Sequence, residues 1–219
     1  MLKFAPFVLL LISSFLSVDL YAAVKPEFVF QLRDDDTGFV EKKRQTSIKQ
    51  DKLLMIVFGA QWCHDSVSLA KQFSEPEFYD QLNDKYQVAF VDVGYLERGF
   101  DIIESYGQAN YYGTPTVLIV EPNSKRLLNR TSNMQWMNSS SKSTEEFKNY
   151  FLDKKFNTPD PLTDNLSYIK YLDKINKFEA SKTAKIKRAY ALAGAMLKDY
   201  KTGASKKPSK EFNKIWMVV

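Results

Sequence analysis

The chain has 219 residues, 44% of them hydrophobic and 14% aromatic, which suits one domain of ordinary size plus an extension and excludes disorder as the default. Its net charge of +5 is unevenly spread: residues 24–153 carry 15 Lys and Arg against 19 Asp and Glu, whereas residues 154–219 carry 15 against 6. A basic tail suits an acidic partner, an anionic membrane surface or nucleic acid, but these bases are dispersed as on a solvated helix and no nucleic-acid signature accompanies them, so no nucleic acid is expected as a partner.

Lys3 and the apolar run at 4–16, broken only by Pro6, Ser13 and Ser14, read as a signal peptide over residues 1–22, with Leu20 and Ala22 before the cleavage point. The run is shorter than the roughly 20 residues a membrane span needs, and an uncleaved anchor is the alternative. The expected mature protein is periplasmic or secreted and does not span the membrane. No cysteine follows the run, which excludes a lipoprotein anchor there. The single cysteine, Cys63, has no internal disulfide partner. In an oxidising compartment such a thiol is either buried and inert or exposed and functional.

Residues 27–33 alternate loosely, as a first strand would, and a turn follows at 34–38. Residues 39–50 suit a short surface helix, with Phe39, Val40 and Ile48 as its apolar positions. The continuous apolar run at 53–58 reads as a central strand buried on both faces. A short loop ending in Trp62 leads into Cys63-His64-Asp65-Ser66, and Val67, Leu69, Ala70 and Phe73 follow at helical spacing. Pro76 opens the next helix, with Phe78 and Leu82 on its apolar side. A second strand is expected at 86–93, a helix at 95–106 and a third strand at 117–120, opened by Gly113-Thr114-Pro115-Thr116. Residues 126–129 are expected to return antiparallel, and Ser143 and Glu146 have the spacing of a capping box. Strands alternating with helices predict an α/β fold with helices on both faces of the sheet. The Pro-rich stretch at 157–161 divides the chain into a domain at 23–156 and a basic helical extension at 157–219. Within the extension, helices are expected near 164–178 and 182–200, with a short apolar end at 215–219.

A cysteine at a helix start faces the positive end of the backbone dipole and free N–H groups, and both favour the thiolate. His64, the one histidine in the chain, favours it further when protonated, and Asp65 opposes it. Ser66 lies one turn on; its hydroxyl is able to donate to the sulfur but not to form a disulfide. Cys63, His64 and Ser66 are therefore the candidate catalytic residues. Adjacent residues at a helix start do not converge on one ion, so no metal is expected at Cys63-His64-Asp65, and no cofactor is expected either.

Trp62-Cys63-His64-Asp65-Ser66 after a buried strand, with Gly113-Thr114-Pro115-Thr116 before another, resembles the thioredoxin-like family over roughly residues 24–153. The Trp-Cys-His-Asp-Ser form is similar to an exported bacterial branch of that family. The resemblance implies a thioredoxin-like fold, here a central mixed sheet with helices on both faces plus a C-terminal helical extension. It also implies a cis Thr114–Pro115 bond lying against Cys63, and a substrate groove formed with Trp62, Thr114 and Pro115. Two departures matter. Ser66 stands where the family has its resolving cysteine, and Val57 where many members have a buried carboxylate that assists proton transfer; both count against dithiol reductase activity.

The reading that follows is an exported protein acting in thiol–disulfide exchange through Cys63 alone, forming mixed disulfides with protein thiols or a small thiol. The alternative is a non-catalytic module that holds an extended peptide in the groove between Trp62 and Pro115. Peroxidase-like chemistry is weaker, because the motif supplies no base or arginine beside the sulfur. Tyr111 and Tyr112 are expected either to line the groove or to pack in the core.

Overall fold

A computed structural model describes residues 28–156, 166–206 and 210–216; the expected signal peptide and the expected boundary at 157–161 lie outside them. Among the described residues the sheet has three strands, β1 (Leu53–Gly59), β2 (Tyr86–Asp92) and β3 (Thr116–Val120), in the order β2-β1-β3. β1 pairs parallel with β2, from Leu53↔Tyr86 to Gly59↔Asp92. It pairs antiparallel with β3, from Leu54↔Val120 to Phe58↔Thr116. The apolar run at 53–58 takes the centre because both its edges are paired and both its faces are covered: Leu54 through Phe58 are fully buried.

Alternate residues of β1 serve opposite layers. Met55 and Val57 face a core with Phe73, Trp136, Phe147 and Phe151. Leu54, Ile56 and Phe58 face a second core with Ile103, Tyr111 and Tyr190. Helices α2 (His64–Phe73) and α3 (Pro76–Lys85) cover the first face through Leu69, Phe73, Phe78 and Leu82. Helices α1 (Asp36–Lys49) and α4 (Phe100–Ser105) cover the second through Val40, Ile102 and Ile103. After β3 come 3₁₀ turns at Asn133–Ser141, kinked at Asn138, and then α5 (Thr144–Phe147), whose capping box joins Ser143 and Glu146.

Four expectations change. Residues 28–33 form no strand; Phe28 stacks on Phe90 at 5.2 Å, and the Arg33 guanidinium donates to the Phe90 carbonyl at 3.0 Å, where a strand would have used its backbone. The helix expected at 95–106 shrinks to α4, because Gly94, Leu96 and Gly99 adopt left-handed φ values of 60°, 72° and 82°. The return strand at 126–129 is reduced to a single bridge, Val120↔Leu127. Two backbone bonds flank the bridge, Glu121 N–H to the Arg126 carbonyl at 2.9 Å and Leu128 N–H to the Ile119 carbonyl at 2.8 Å; beyond them the Asn129 side chain accepts from the Ile119 N–H at 2.9 Å and donates to the Val117 carbonyl at 2.8 Å, so an amide takes the place of further rungs.

The fourth change is at the C-terminal side. The two expected helices are one, α6 (Leu166–Lys201), since no glycine or proline interrupts residues 178–182. A short α7 (Lys210–Trp216) follows, and residues 217–219 lie outside the described part. α6 packs on the second face of the sheet. Tyr190 stacks on Tyr111 at 5.5 Å and donates its hydroxyl to the Tyr111 carbonyl at 3.2 Å. Thr183 accepts from Asn110 at 3.0 Å, and Lys187 pairs with Glu104 at 2.8 Å. Among the described residues no helix is long and apolar enough to cross a membrane.

Candidate functional site

β1 ends at Gly59, where the backbone must come close to its neighbours: a Cβ there would lie 2.5 Å from the Phe30 ring and 2.7 Å from the Ser66 hydroxyl oxygen. The chain then turns, the Cys63 N–H donating to the Ala60 carbonyl at 3.1 Å. Cys63 is the N-cap of α2, in extended conformation, and its carbonyl accepts from the Val67 N–H at 3.0 Å. Its thiol is free and half-buried, and Sγ donates to the Thr114 carbonyl at 3.3 Å. The Thr114–Pro115 bond is cis. Cys63, Thr114 and Pro115 therefore meet across 51 residues of chain between the sulfur and the carbonyl it contacts.

Trp62 is held beside them. Its indole N–H donates to the Gly94 carbonyl at 2.7 Å, and its ring stacks on Tyr95 at 6.3 Å with planes 8° apart. The Gly94 N–H in turn donates to Asp92 Oδ1 at 2.8 Å. Asp92 is buried at the end of β2, opposite Gly59, and burial pushes its carboxyl above the ordinary value of 3.8, against the pull of the Gly94 N–H and the charge of Arg98. Val57 is core, so the buried carboxylate of this region stands on the neighbouring strand, an aspartate that closes an apolar run.

His64 opens α2 and is exposed; sequence adjacency, and not packing, puts it beside the sulfur. Ser66 requires a correction. Its side chain is fully buried and its hydroxyl has no hydrogen-bond partner among the described residues, Cys63 Sγ included. Three positions into the helix from the N-cap, the side chain points into the core beneath Gly59 and Phe30, while the sulfur points to the loop at 114. Tyr111 is core, fully buried between Phe100 and Tyr190. Tyr112 is half-buried, and its hydroxyl is pushed up to about 12 by burial first and then by the charge of Glu179 and a hydrogen bond to it.

Two segments that carried no chemistry in the sequence brace this site from either side. In the 133–141 turns, Ser140 donates to Asp65 Oδ1 from its N–H at 2.9 Å and from its hydroxyl at 2.7 Å, and Ser139 donates to the Asp65 carbonyl at 2.6 Å. Met137 of the same turns fills the space where a Cβ on Gly113 would stand. One segment thus holds both the first turn of α2 and the loop before Thr114. On the other side α6 holds that loop through Thr183 and Tyr190, and Arg130 links Glu179 at 2.5 Å to the Gly107 carbonyl at 2.6 Å. Trp136 of the 133–141 turns is buried against Phe147 and Phe151, and a tryptophan in an otherwise polar, serine-rich stretch is the local signal of that packing. Among the described residues no group of three or more His, Cys, Asp or Glu is placed to hold a metal.

The arrangement presents a half-buried thiol beside a backbone carbonyl, next to a fixed indole, with both walls braced. A family model described as Thioredoxin-like matches residues 36–122, which include Trp62, Cys63, Ser66, Thr114 and Pro115 but neither the 133–141 turns nor α6. A solved structure described as a disulphide isomerase from Xylella fastidiosa Temecula1 is similar in fold. Its TM-score is 0.53 at 22% identity, over 57% of this chain and 95% of that one. No curated protein matches the chain.

Proposed function

We propose that this chain, whose fold is thioredoxin-like, exchanges thiols and disulfides through Cys63 alone. The observation that carries the reading is the half-buried Sγ at the start of α2, 3.3 Å from the carbonyl that precedes a cis proline. Cys63 loses its proton to solvent, and the thiolate attacks one sulfur of a substrate disulfide. A Cys63–substrate S–S bond forms as the substrate S–S bond breaks. The bonding pair leaves with the second substrate thiolate, which takes a proton from water. Ser66 has no thiol to reverse this step, so release needs an external thiolate that attacks the mixed disulfide and returns Cys63. The number of disulfide bonds is unchanged over the cycle, the external thiol taking the place of the released one, which suits isomerisation of protein disulfides or reversible protection of a thiol. The structural neighbour from Xylella fastidiosa Temecula1, described as a disulphide isomerase, supports the same class. Trp62, Thr114 and Pro115 would hold the extended substrate segment. The positive start and apolar run of residues 3–16 support export, so the site of action would be the periplasm or the exterior.

Alkylation of the native protein across a range of pH, followed by mass spectrometry, tests this. Modification of Cys63 without denaturant, and capture of a mixed disulfide with glutathione after acid quenching, are expected; a thiol that reacts only once the chain is unfolded would sink the proposal. A second reading is supported by the bracing of the groove, which does not depend on the sulfur: a module that binds an extended peptide between Trp62 and Pro115. Under that reading Cys63→Ser keeps full partner binding and phenotype, whereas exchange through Cys63 requires the mixed disulfide and the phenotype both to be lost in that variant.

A further inference from the structure

α6 meets the domain with one side, and the short α7 packs against it as well. Glu179, Thr183, Tyr190 and Leu197 face the domain, and at Gly194 the helix backbone comes so close that a Cβ would collide with the Tyr95 carbonyl. At 3.6 residues per turn, Lys170, Lys174, Lys177, Lys185 and Arg188 fall on the opposite side, within an arc of about 80° and along about 27 Å of helix. All five are exposed. Phe178 and Leu192, 63% and 52% exposed, lie within or beside the same arc. The acids of the described helix offset one base of the stripe and leave four: Asp173 pairs with Lys177 at 2.7 Å, Glu179 is turned inward to Arg130, and Asp199 lies beyond it.

We propose that this outer face of α6 docks on an anionic phospholipid surface. Single apolar side chains are common on a solvated helix, and Lys182 lies 5.2 Å from the Phe178 ring, but among the described residues both large exposed apolar side chains of α6 outside its last turn fall in or beside the basic arc. A lipid interface takes both, the bases at the phosphates and Phe178 and Leu192 at the acyl boundary. A nucleic acid would use the bases and leave the apolar side chains wet. The charge balance of the rest of the chain sets the orientation: residues 24–153 carry 19 acids against 15 bases, so an anionic surface repels that part and attracts α6. The inference concerns where the protein sits and does not depend on its thiol chemistry.

The test is co-sedimentation of the full chain with vesicles of phosphatidylcholine, alone or mixed with phosphatidylglycerol. The readout is the difference between the two, in which any contribution of the apolar residues 4–16 cancels. Stronger binding to the mixed vesicles is expected, with the difference weakening with salt and falling by at least about tenfold in Lys170→Glu/Lys174→Glu/Arg188→Glu. Phe178→Ser/Leu192→Ser is expected to reduce the binding that persists at high salt, with an unchanged far-UV spectrum in both variants. Equal binding to both vesicles, equal binding by the charge-reversed variant, or equal displacement by polyglutamate or duplex DNA at matched charge would overturn the proposal.

Discussion

The Ser66 hydroxyl is fully buried without a hydrogen-bond partner among the described residues, beneath Gly59 and Phe30. A hydroxyl in that state costs about 1–3 kcal/mol, so Ser66→Ala is expected to leave stability unchanged or raise it by about 1 kcal/mol, read from the urea midpoint. A thiol suits an apolar site better than a hydroxyl. Ser66→Cys is therefore expected to fold, and to give Cys63 the resolving partner it lacks. Its adduct with glutathione should collapse to an internal disulfide, seen as loss of the adduct mass and of both reactive thiols. An adduct as long-lived as that of the wild type would mean that position 66 does not reach the sulfur. In the wild type the Ser66 hydroxyl makes no hydrogen bond to Cys63, whose Sγ donates to the Thr114 carbonyl instead.

At the scale of elements, the thiol site is assembled between two segments that lie outside the residues matched by the family model. The 133–141 turns hold α2 through Asp65. Hydrogen bonds to a charged group contribute about 1.5–3 kcal/mol, and exposure of Ser140 puts its pair at the low end. Ser140→Ala is expected to cost about 1 kcal/mol, because its N–H still reaches Asp65, and to change the alkylation rate of Cys63 without unfolding the chain. On the other side, Gly194 brings α6 against the Tyr95 carbonyl. In an isolated helix, glycine to alanine gains about 1 kcal/mol. Here the obstacle is backbone, which has no rotamer to give way, and overpacking of this kind costs about 1–3 kcal/mol. Gly194→Ala is therefore expected to destabilise on balance and to shift Trp62 fluorescence, because Tyr95 stacks on Trp62. A more stable protein with unchanged fluorescence would show that α6 does not press on that loop.

Across the whole molecule, the buried Asp92 links the active-site loop to stability. Burial raises its carboxyl above 3.8, Gly94 and Arg98 act against that, and Asp36 and Glu97 reinforce it. The folded state then binds the proton more tightly than the unfolded one. This contribution is fully present below the unfolded value and is lost as pH rises through the folded value. Asp92→Asn keeps an acceptor for the Gly94 N–H and never ionises. Its stability relative to the wild type is expected to grow from a pH below 3.8 to neutrality, as measured by urea unfolding. Local pattern located the strands expected at 53–58, 86–93 and 117–120 to within a residue of each end, together with the helix behind Cys63 and the capping box at Ser143, because each depends on neighbours within a turn or a pleat. The resemblance, and not periodicity, singled out Trp62 and Pro115. Tertiary packing decided which way Ser66 points, how Asn129 displaces a strand, and that α6 runs unbroken against the loop at 110–112. It also decided that Ser139 closes on Asp65 from 74 residues away. Such contacts leave no periodic trace in either segment; they form only when the whole chain has found which of its faces must share the same buried space.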